Sequence, residues 1–261
     1  MSSVFSRLPM DVNKISFVAP IGVLAPNCGT PLPKQHTGFV LNELGVPLLA
    51  LGDLTITQIR KVTFSSSPTR PGYVDYAIFF SVRTEVTGHF GHVTELNPNL
   101  QPAASAYRCS TYSSVDETVE SCSADTNIKV AAGIQIATSG TASHSAVIDM
   151  GMSDSKISDA YVNPTRYGKL GVVGTLCPWD FYSNPLKVQL YAKIGLNSAL
   201  LITKNPKCGT VAVDRAGTAV GRWTPQSNPG NGADPADGNF LVLTPDIYNP
   251  ETRVAFSTRI Q

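Results

Sequence analysis

Four histidines and one aspartate are the residues of this chain whose types and spacing could support chemistry. They are His36, His89, His92, His144 and Asp149. The segment HFGHV holds two of them, and alternation along a strand predicts that His92 shares a face with Phe90 while His89 points the other way. An imidazole in such a strand can be a ligand, a catalytic base, or a core histidine hydrogen-bonded to a backbone carbonyl. The residues alone leave these alternatives open.

Asp149 interrupts an apolar run, AVIDMGM, that extends from Ala146 to Met152. A carboxylate buried in such a strand requires a compensating partner. A metal ion, an arginine or a histidine could provide it, and imidazoles without metal would form a buried polar network with the carboxylate.

The composition limits the classes of partner. The 261 residues carry a net charge of +1 and 15% charged residues, with no basic run, so we expect no nucleic-acid partner. No apolar run approaches the ~20 residues of a membrane helix, so we expect no membrane span. Nucleophile-elbow, phosphate-loop and dinucleotide motifs are also absent from the sequence.

The five cysteines bear on the compartment. They are Cys28, Cys109, Cys122, Cys177 and Cys208. A disulfide between Cys109 and Cys122 is predicted across a polar segment, and one between Cys177 and Cys208 is a second possibility. Both would place the chain in an oxidising compartment, secreted or periplasmic. The alternative is five reduced cysteines in a cytosolic protein. The first residues, MSSVFSRLPMDVNK, lack the pattern of a signal peptide.

Most of the chain is predicted to form short strands. The strongest is 73–83, which is rich in aromatic and β-branched residues and has almost no helix formers. Residues 97–125 are predicted to form a long polar connection without strands. One short helix is predicted to begin at Ser183 or Asn184, with Pro185 in its first turn. Beyond residue 204 the sequence again predicts β-hairpins.

The order of four motifs resembles the lysostaphin-like zinc endopeptidases, whose β fold is called the duplicated hybrid motif. The motifs are His36 with VPLLALGDLTITQI, the strand 75–81, the segment FGHV at 90–93, and VAAGIQIATSG with VIDMG. The resemblance covers about residues 30–152. It implies a mainly β fold, a small sandwich or open barrel with long loops, in a domain 1–204. Residues 205–261 would then form a C-terminal β-hairpin extension.

The resemblance also implies a site with departures from the family pattern. The family's first histidine is followed four residues later by an aspartate, and both bind zinc, but Val40 stands at that second position here. The family's last strand supplies two histidines, and Val147 and Asp149 stand there. His36 and Asp149 are therefore implied as ligands of one divalent transition metal, zinc above all. His92 is implied as the catalytic imidazole or as the third ligand of a His–His–Asp site.

Two functions are consistent with this pattern. The first is a non-catalytic module that binds a cell-wall glycan or peptide, or another protein. The second is a metal-dependent hydrolase that uses the His–His–Asp site on a peptide or glycan. His89, His144 and Trp179 are predicted to contact the ligand. The alternatives are an exposed loop for His144 and a buried anchor for Trp179. The oligomeric state is left open.

Overall fold

Eleven strands form one antiparallel sheet in a computed structural model of the chain. The structure describes residues 4–24, 32–67, 71–114, 117–139, 146–163, 174–223 and 240–259. The strands of this sheet are β1 (Ile15–Ala19), β2 (His36–Leu41), β3 (Pro47–Leu49), β4 (Leu54–Phe64), β5 (Tyr73–Arg83), β6 (Val86–Leu96), β7 (Arg108–Ser114), β8 (Glu117–Val130), β9 (Gln135–Ser139), β10 (Val147–Asp154) and β11 (Thr175–Leu176).

The strand order is β1-β2-β10-β6-β5-β4-β8-β7, with β11 paired to β10 and β9 paired to both β3 and β6. The order shows that β10 lies between two strands that come much earlier in the chain. This insertion places Asp149 on β10 between His36 on β2 and the histidines of β6.

One face of the sheet packs the main core. The fully buried side chains of this face include Phe39, Ile148, Met150, Phe90 and Ile78. Alternation on these strands therefore directs apolar side chains to one face and leaves the other face for polar groups. The described site residues lie on that second face.

Trp179 belongs to the core and not to a binding surface. Its side chain is 0% exposed, and its ring centroid lies 5.3 Å from that of Phe39. The prediction that Trp179 contacts a ligand is wrong, because a fully buried indole offers no surface to one. It is the buried anchor of the segment PWDF, which precedes the helix.

A second sheet contains β12 (Gly221–Trp223), β13 (Phe240–Pro245) and β14 (Val254–Arg259) in that order. The helix α1 (Asn184–Tyr191) begins after Ser183 with a proline in its first turn, as predicted. The mainly β fold with one short helix and a C-terminal hairpin is confirmed, and the large sheet is open and not a closed barrel. The domain boundary near residue 204 stays a prediction.

The segment 97–125 contains strands, contrary to the prediction of a strand-free connection. It includes β7 and residues 117–125 of β8, and these strands form a hairpin at the edge of the sheet. Residues 108–113 of the edge strand β7 are exposed, so its Ser and Thr residues need no apolar alternation, whereas β8 buries Val119, Cys122 and Ala124. A polar composition therefore does not exclude a strand at the edge of a sheet.

Both predicted disulfides are present. Cys109 pairs with Cys122 across the β7–β8 hairpin, and Cys177 pairs with Cys208. Two disulfides are typical of an oxidising compartment. Cys28 lies outside the described residues. Within the described ranges, no helix has the length and apolar character to span a membrane.

Candidate functional site

Asp149 is the centre of a polar cluster on the open face of the sheet. On β2 it is paired with Gly38, and on β6 with Gly91. A Cβ atom at Gly38 would lie 3.4 Å from Oδ1 of Asp149. The two glycines therefore leave space around a carboxylate whose residue is only 8% exposed.

His36 approaches Asp149 from β2. Its Nε2 lies 3.1 Å from Oδ2 of Asp149. Nε2 is nevertheless buried without a hydrogen-bond partner. We therefore treat the approach to Asp149 as an electrostatic contact between an imidazole and a carboxylate.

A β-bulge places His92 at the same carboxylate. Between the pairs Tyr76–Val93 and Ile78–Phe90, β6 advances by three residues and β5 by two. His92 is in the left-handed region with φ 60°, which is uncommon for a non-glycine residue and costs about 1–3 kcal/mol. The extra residue breaks the strict alternation, so the prediction that His92 shares a face with buried Phe90 is wrong.

His92 lies between two carboxylates. Its Nδ1 is hydrogen-bonded to Oδ2 of Asp75 at 2.9 Å, and its Nε2 lies 3.3 Å from Oδ2 of Asp149. The contact with Asp149, and after it the hydrogen bond with Asp75, raises the pKa of His92 to about 10. His92 is therefore a cation at neutral pH, and both of its ring nitrogens donate.

The two imidazoles in turn stabilise the charge on Asp149. Burial alone would raise the pKa of this carboxyl group. The contacts with His36 and His92 outweigh the burial and hold the pKa of Asp149 below its usual range. Carboxylates and imidazoles therefore alternate along a line of contacts that runs from Asp75 through His92 and Asp149 to His36.

His89 lies beside this network but has the opposite electrostatics. Its ring covers Gly151, where a Cβ atom would overlap it, and its centroid lies 6.1 Å from that of His36 and 5.8 Å from that of Phe79. Burial, followed by the charge of His36, lowers the pKa of His89 to about 4. His89 is therefore neutral at pH 7.

The lowered pKa of His89 predicts a pH-dependent stability. An unfolded histidine titrates near 6.5, so the stabilising effect of neutral His89 is fully present above that pH and is lost as pH falls towards 4. We expect the loss of unfolding free energy between pH 7 and pH 5 to be about 2 kcal/mol smaller in His89→Gln than in the wild type. Urea denaturation at both pH values measures it. Equal pH dependence in the two proteins would contradict the burial of a neutral ring.

The metal site that the resemblance implies would be formed by His36, His92 and Asp149. Two imidazoles and a carboxylate are a suitable donor set for zinc. However, His36 and His92 approach one oxygen of Asp149 from separate sides, and His92 is engaged by Asp75. The three donors do not form a group in which all ligand atoms lie within 4.8 Å of one another. The arrangement does not fit a three-ligand zinc site.

Among the described residues, a different group has its ligand atoms close enough together to hold a metal ion. Cys109, Glu120 and Cys122 have ligand atoms that all lie within 4.8 Å of one another, close enough to hold a metal ion. Both sulfurs are joined in the disulfide, and the thiolate is the form of cysteine that binds metals. This group could therefore bind a metal only after reduction.

A cleft of about 490 Å³ adjoins the network at His89 and Gly151. Its polar lining is almost uncharged, and its single carboxylate, Asp125, is exposed and paired with Arg108 at 2.7 Å. Phe79 adds an aromatic edge. The uncharged polar residues of the lining are Gln35, Thr57, Gln58, Thr87, Ser153 and Thr175.

The structure brings together three of the predicted site residues, His36, His92 and Asp149, and places His89 in the adjoining cleft. His144 lies outside the described residues. Asp75 was not predicted, although a lone carboxylate in the strand YVDYAIFF was a usable signal, because such a strand is otherwise buried. The comparisons identify no relative of the chain, since no family model, curated protein or solved structure matches it.

Proposed function

We propose that this chain is a non-catalytic binding module, secreted or periplasmic, built on a scaffold that resembles the lysostaphin-like endopeptidases. Its cleft binds an uncharged, polar cell-wall polymer, either a glycan or a peptide. The observation that carries the proposal is the uncharged cleft beside a His–Asp network whose charges are already compensated. A ligand can then bind without competing for those charges.

The pair Val40 and Val147 supports the absence of catalysis. These residues are directly opposite each other on β2 and β10, two pairs away from the pair of Asp149 with Gly38 and on the same face. In the family that the chain resembles, these positions hold a zinc-binding aspartate and a histidine of the last strand. Valine can neither bind a metal nor accept a proton, so the network lacks two groups that such a reaction would need.

The state of His92 supports the same conclusion. A general base requires a free lone pair and a pKa near the working pH. His92 is protonated at neutral pH and held by two carboxylates, with a pKa raised to about 10. It therefore acts as a compensating cation for Asp149 and not as a base.

Binding to isolated, washed peptidoglycan tests the proposal. Thr87 is exposed, lies on β6 and lines the cleft, so a bulky side chain there fills the cleft without entering the core. We expect Thr87→Tyr to lower the affinity at least ~10-fold, the equivalent of about 1.4 kcal/mol. Co-sedimentation over a range of protein concentrations measures it.

The matched control is Thr111→Tyr, because Thr111 is an exposed threonine on β7 outside the cleft. It should bind as the wild type does. Equal binding by all three proteins would place the binding surface elsewhere and contradict the proposal. Release of soluble fragments from the peptidoglycan would contradict the non-catalytic assignment.

One observation favours the second candidate, a metal-dependent hydrolase. Nε2 of His36 is buried, faces Asp149 at 3.1 Å and has no hydrogen-bond partner. Metal content distinguishes the candidates when the protein is purified without added metal or a histidine tag. About one equivalent, lost in both His36→Ala and Asp149→Ala, would favour the hydrolase. No metal, and no uptake of added zinc, would eliminate it.

A further inference from the structure

A row of hydroxyl side chains crosses five neighbouring strands on the open face of the sheet. Thr55 on β4 is paired with Ser81 on β5, and Ser81 is paired with Thr87 on β6. Thr87 is paired with Ser153 on β10, which is paired with Thr175 on β11. Directly paired residues of antiparallel strands point to the same face, so the five hydroxyl groups form one continuous row.

The row has a regular spacing and leads into the cleft. Neighbouring strands lie about 4.8 Å apart, so five strands give a row of roughly 19 Å. Thr87 is exposed and the other four residues are half-buried. Thr87, Ser153 and Thr175 line the cleft, and the hydroxyl oxygens of the first two lie 3.1 Å apart.

A second row runs beside the first on the same face. Gln58, Phe79, His89 and Gly151 are paired in turn across β4, β5, β6 and β10. They offer an amide, an aromatic ring, a neutral imidazole and a position without a side chain. None of these four groups carries a charge at neutral pH, since the pKa of His89 is lowered. The side chains of the two rows, which together form a strip, are themselves uncharged, and the charged groups beside them lie at the β4 end, where the Arg60 guanidinium is 5.3 Å from the Phe79 ring centroid and Asp125 accepts a hydrogen bond from Gln58.

The position of the strip favours one ligand class. An extended peptide usually binds at the edge of a sheet, where backbone groups are unpaired. This strip crosses the faces of β4, β5, β6 and β10, each of which is already paired on both sides. Recognition there depends on side chains, and hydroxyl groups both donate and accept. That chemistry matches a polymer that presents hydroxyl groups at regular intervals.

We propose that this hydroxyl row is the recognition surface for a linear, uncharged glycan that lies across the strands. The inference rests on the proposed binding function and specifies its ligand. The glycan exchanges hydrogen bonds with Thr87, Ser153 and Thr175 inside the cleft and extends over Ser81 and Thr55 beyond it. A short oligosaccharide covers fewer strands and therefore forms fewer of these bonds.

Titration calorimetry with defined probes tests the inference. The probes are a β-1,4-linked N-acetylglucosamine hexasaccharide, the corresponding disaccharide and an uncharged hexapeptide of alanine and glycine. We expect the hexasaccharide to bind at least ~10-fold more tightly than the disaccharide. The double variant Thr87→Val/Ser153→Ala removes two hydroxyl groups with little change of shape, and should lower hexasaccharide affinity about 10-fold, since two hydrogen bonds to the ligand are lost.

Two further variants make the result interpretable. Thr175→Val removes the last hydroxyl group of the row and should weaken binding even if the double variant fails to fold. Thr111→Val, on β7 outside the cleft, should bind as the wild type does. Equal hexasaccharide affinity in the wild type and Thr175→Val would overturn the inference.

The peptide separates this inference from the proposed function. Peptide binding without hexasaccharide binding would overturn the glycan assignment and leave the binding module intact. If neither probe binds and peptidoglycan does not sediment the protein, both proposals fail. Hexasaccharide binding that the row variants weaken supports both.

Discussion

Replacement of Asp149 by alanine should lower the free energy of unfolding by about 3 kcal/mol at pH 7. The carboxylate is buried and compensates the imidazoles of His36 and His92, whose nitrogens lie 3.1 and 3.3 Å from the same oxygen. Removal of one member of a buried charge network leaves the others desolvated and without their partner. Urea denaturation followed by circular dichroism measures the difference.

Asp125→Ala is the matched control for that measurement. Asp125 is an exposed aspartate of the same sheet, and its partner Arg108 is also exposed. Its replacement should change stability far less, because surface ion pairs contribute little. If Asp149→Ala proves as stable as the wild type, the network does not compensate the carboxylate. Asp149 would then be retained for a ligand or a metal.

Loss of the Cys177–Cys208 disulfide should destabilise the protein by about 4 kcal/mol in the double variant Cys177→Ser/Cys208→Ser. The bond closes a loop with a sequence separation of 31 residues, and the larger the loop, the more conformational entropy the unfolded chain regains. Cys208 is buried beside the main core, so the serine there also loses packing. Thermal denaturation without reductant measures the change in Tm.

The second disulfide provides an internal comparison. Cys109 and Cys122 have a separation of only 13 residues and lie in an edge hairpin. Cys109→Ser/Cys122→Ser should cost about 3 kcal/mol on the same entropic argument. If Cys109→Ser/Cys122→Ser loses more stability than Cys177→Ser/Cys208→Ser, the stabilisation would come from native contacts of the hairpin and not from the lower entropy of the unfolded chain.

The sequence was most informative where local pattern and tertiary environment agree. Residues 73–83 form β5 over the predicted range, because aromatic and β-branched side chains suit a sheet and no glycine or proline interrupts them. The helix start at Asn184 is equally local, since it depends on a proline in the first turn. The meeting of His36, His92 and Asp149 was anticipated only through a resemblance, because strand order is not a local property.

Other features depended on geometry that residue types do not encode. The bulge at His92 adds one residue to β6, and nothing in HFGHV distinguishes it from a regular strand. The same bulge brings Asp75 into contact with His92, so the second carboxylate could not be placed without it. Trp179 was misassigned because an aromatic cluster suits a binding surface and a core equally well.

The insertion of β10 has a consequence for the order in which the chain assembles. Thr37 and Met150, which are joined by a hydrogen bond across β2 and β10, are 113 residues apart in sequence. Until β10 is synthesised, the strands on its two sides each keep an unpaired edge, and such edges are prone to pair with other chains. Contacts between residues so far apart in sequence also form slowly during folding. The edges of β2 and β6 therefore stay unpaired until β10 has been synthesised, and rapid folding or chaperones would have to protect them from other chains.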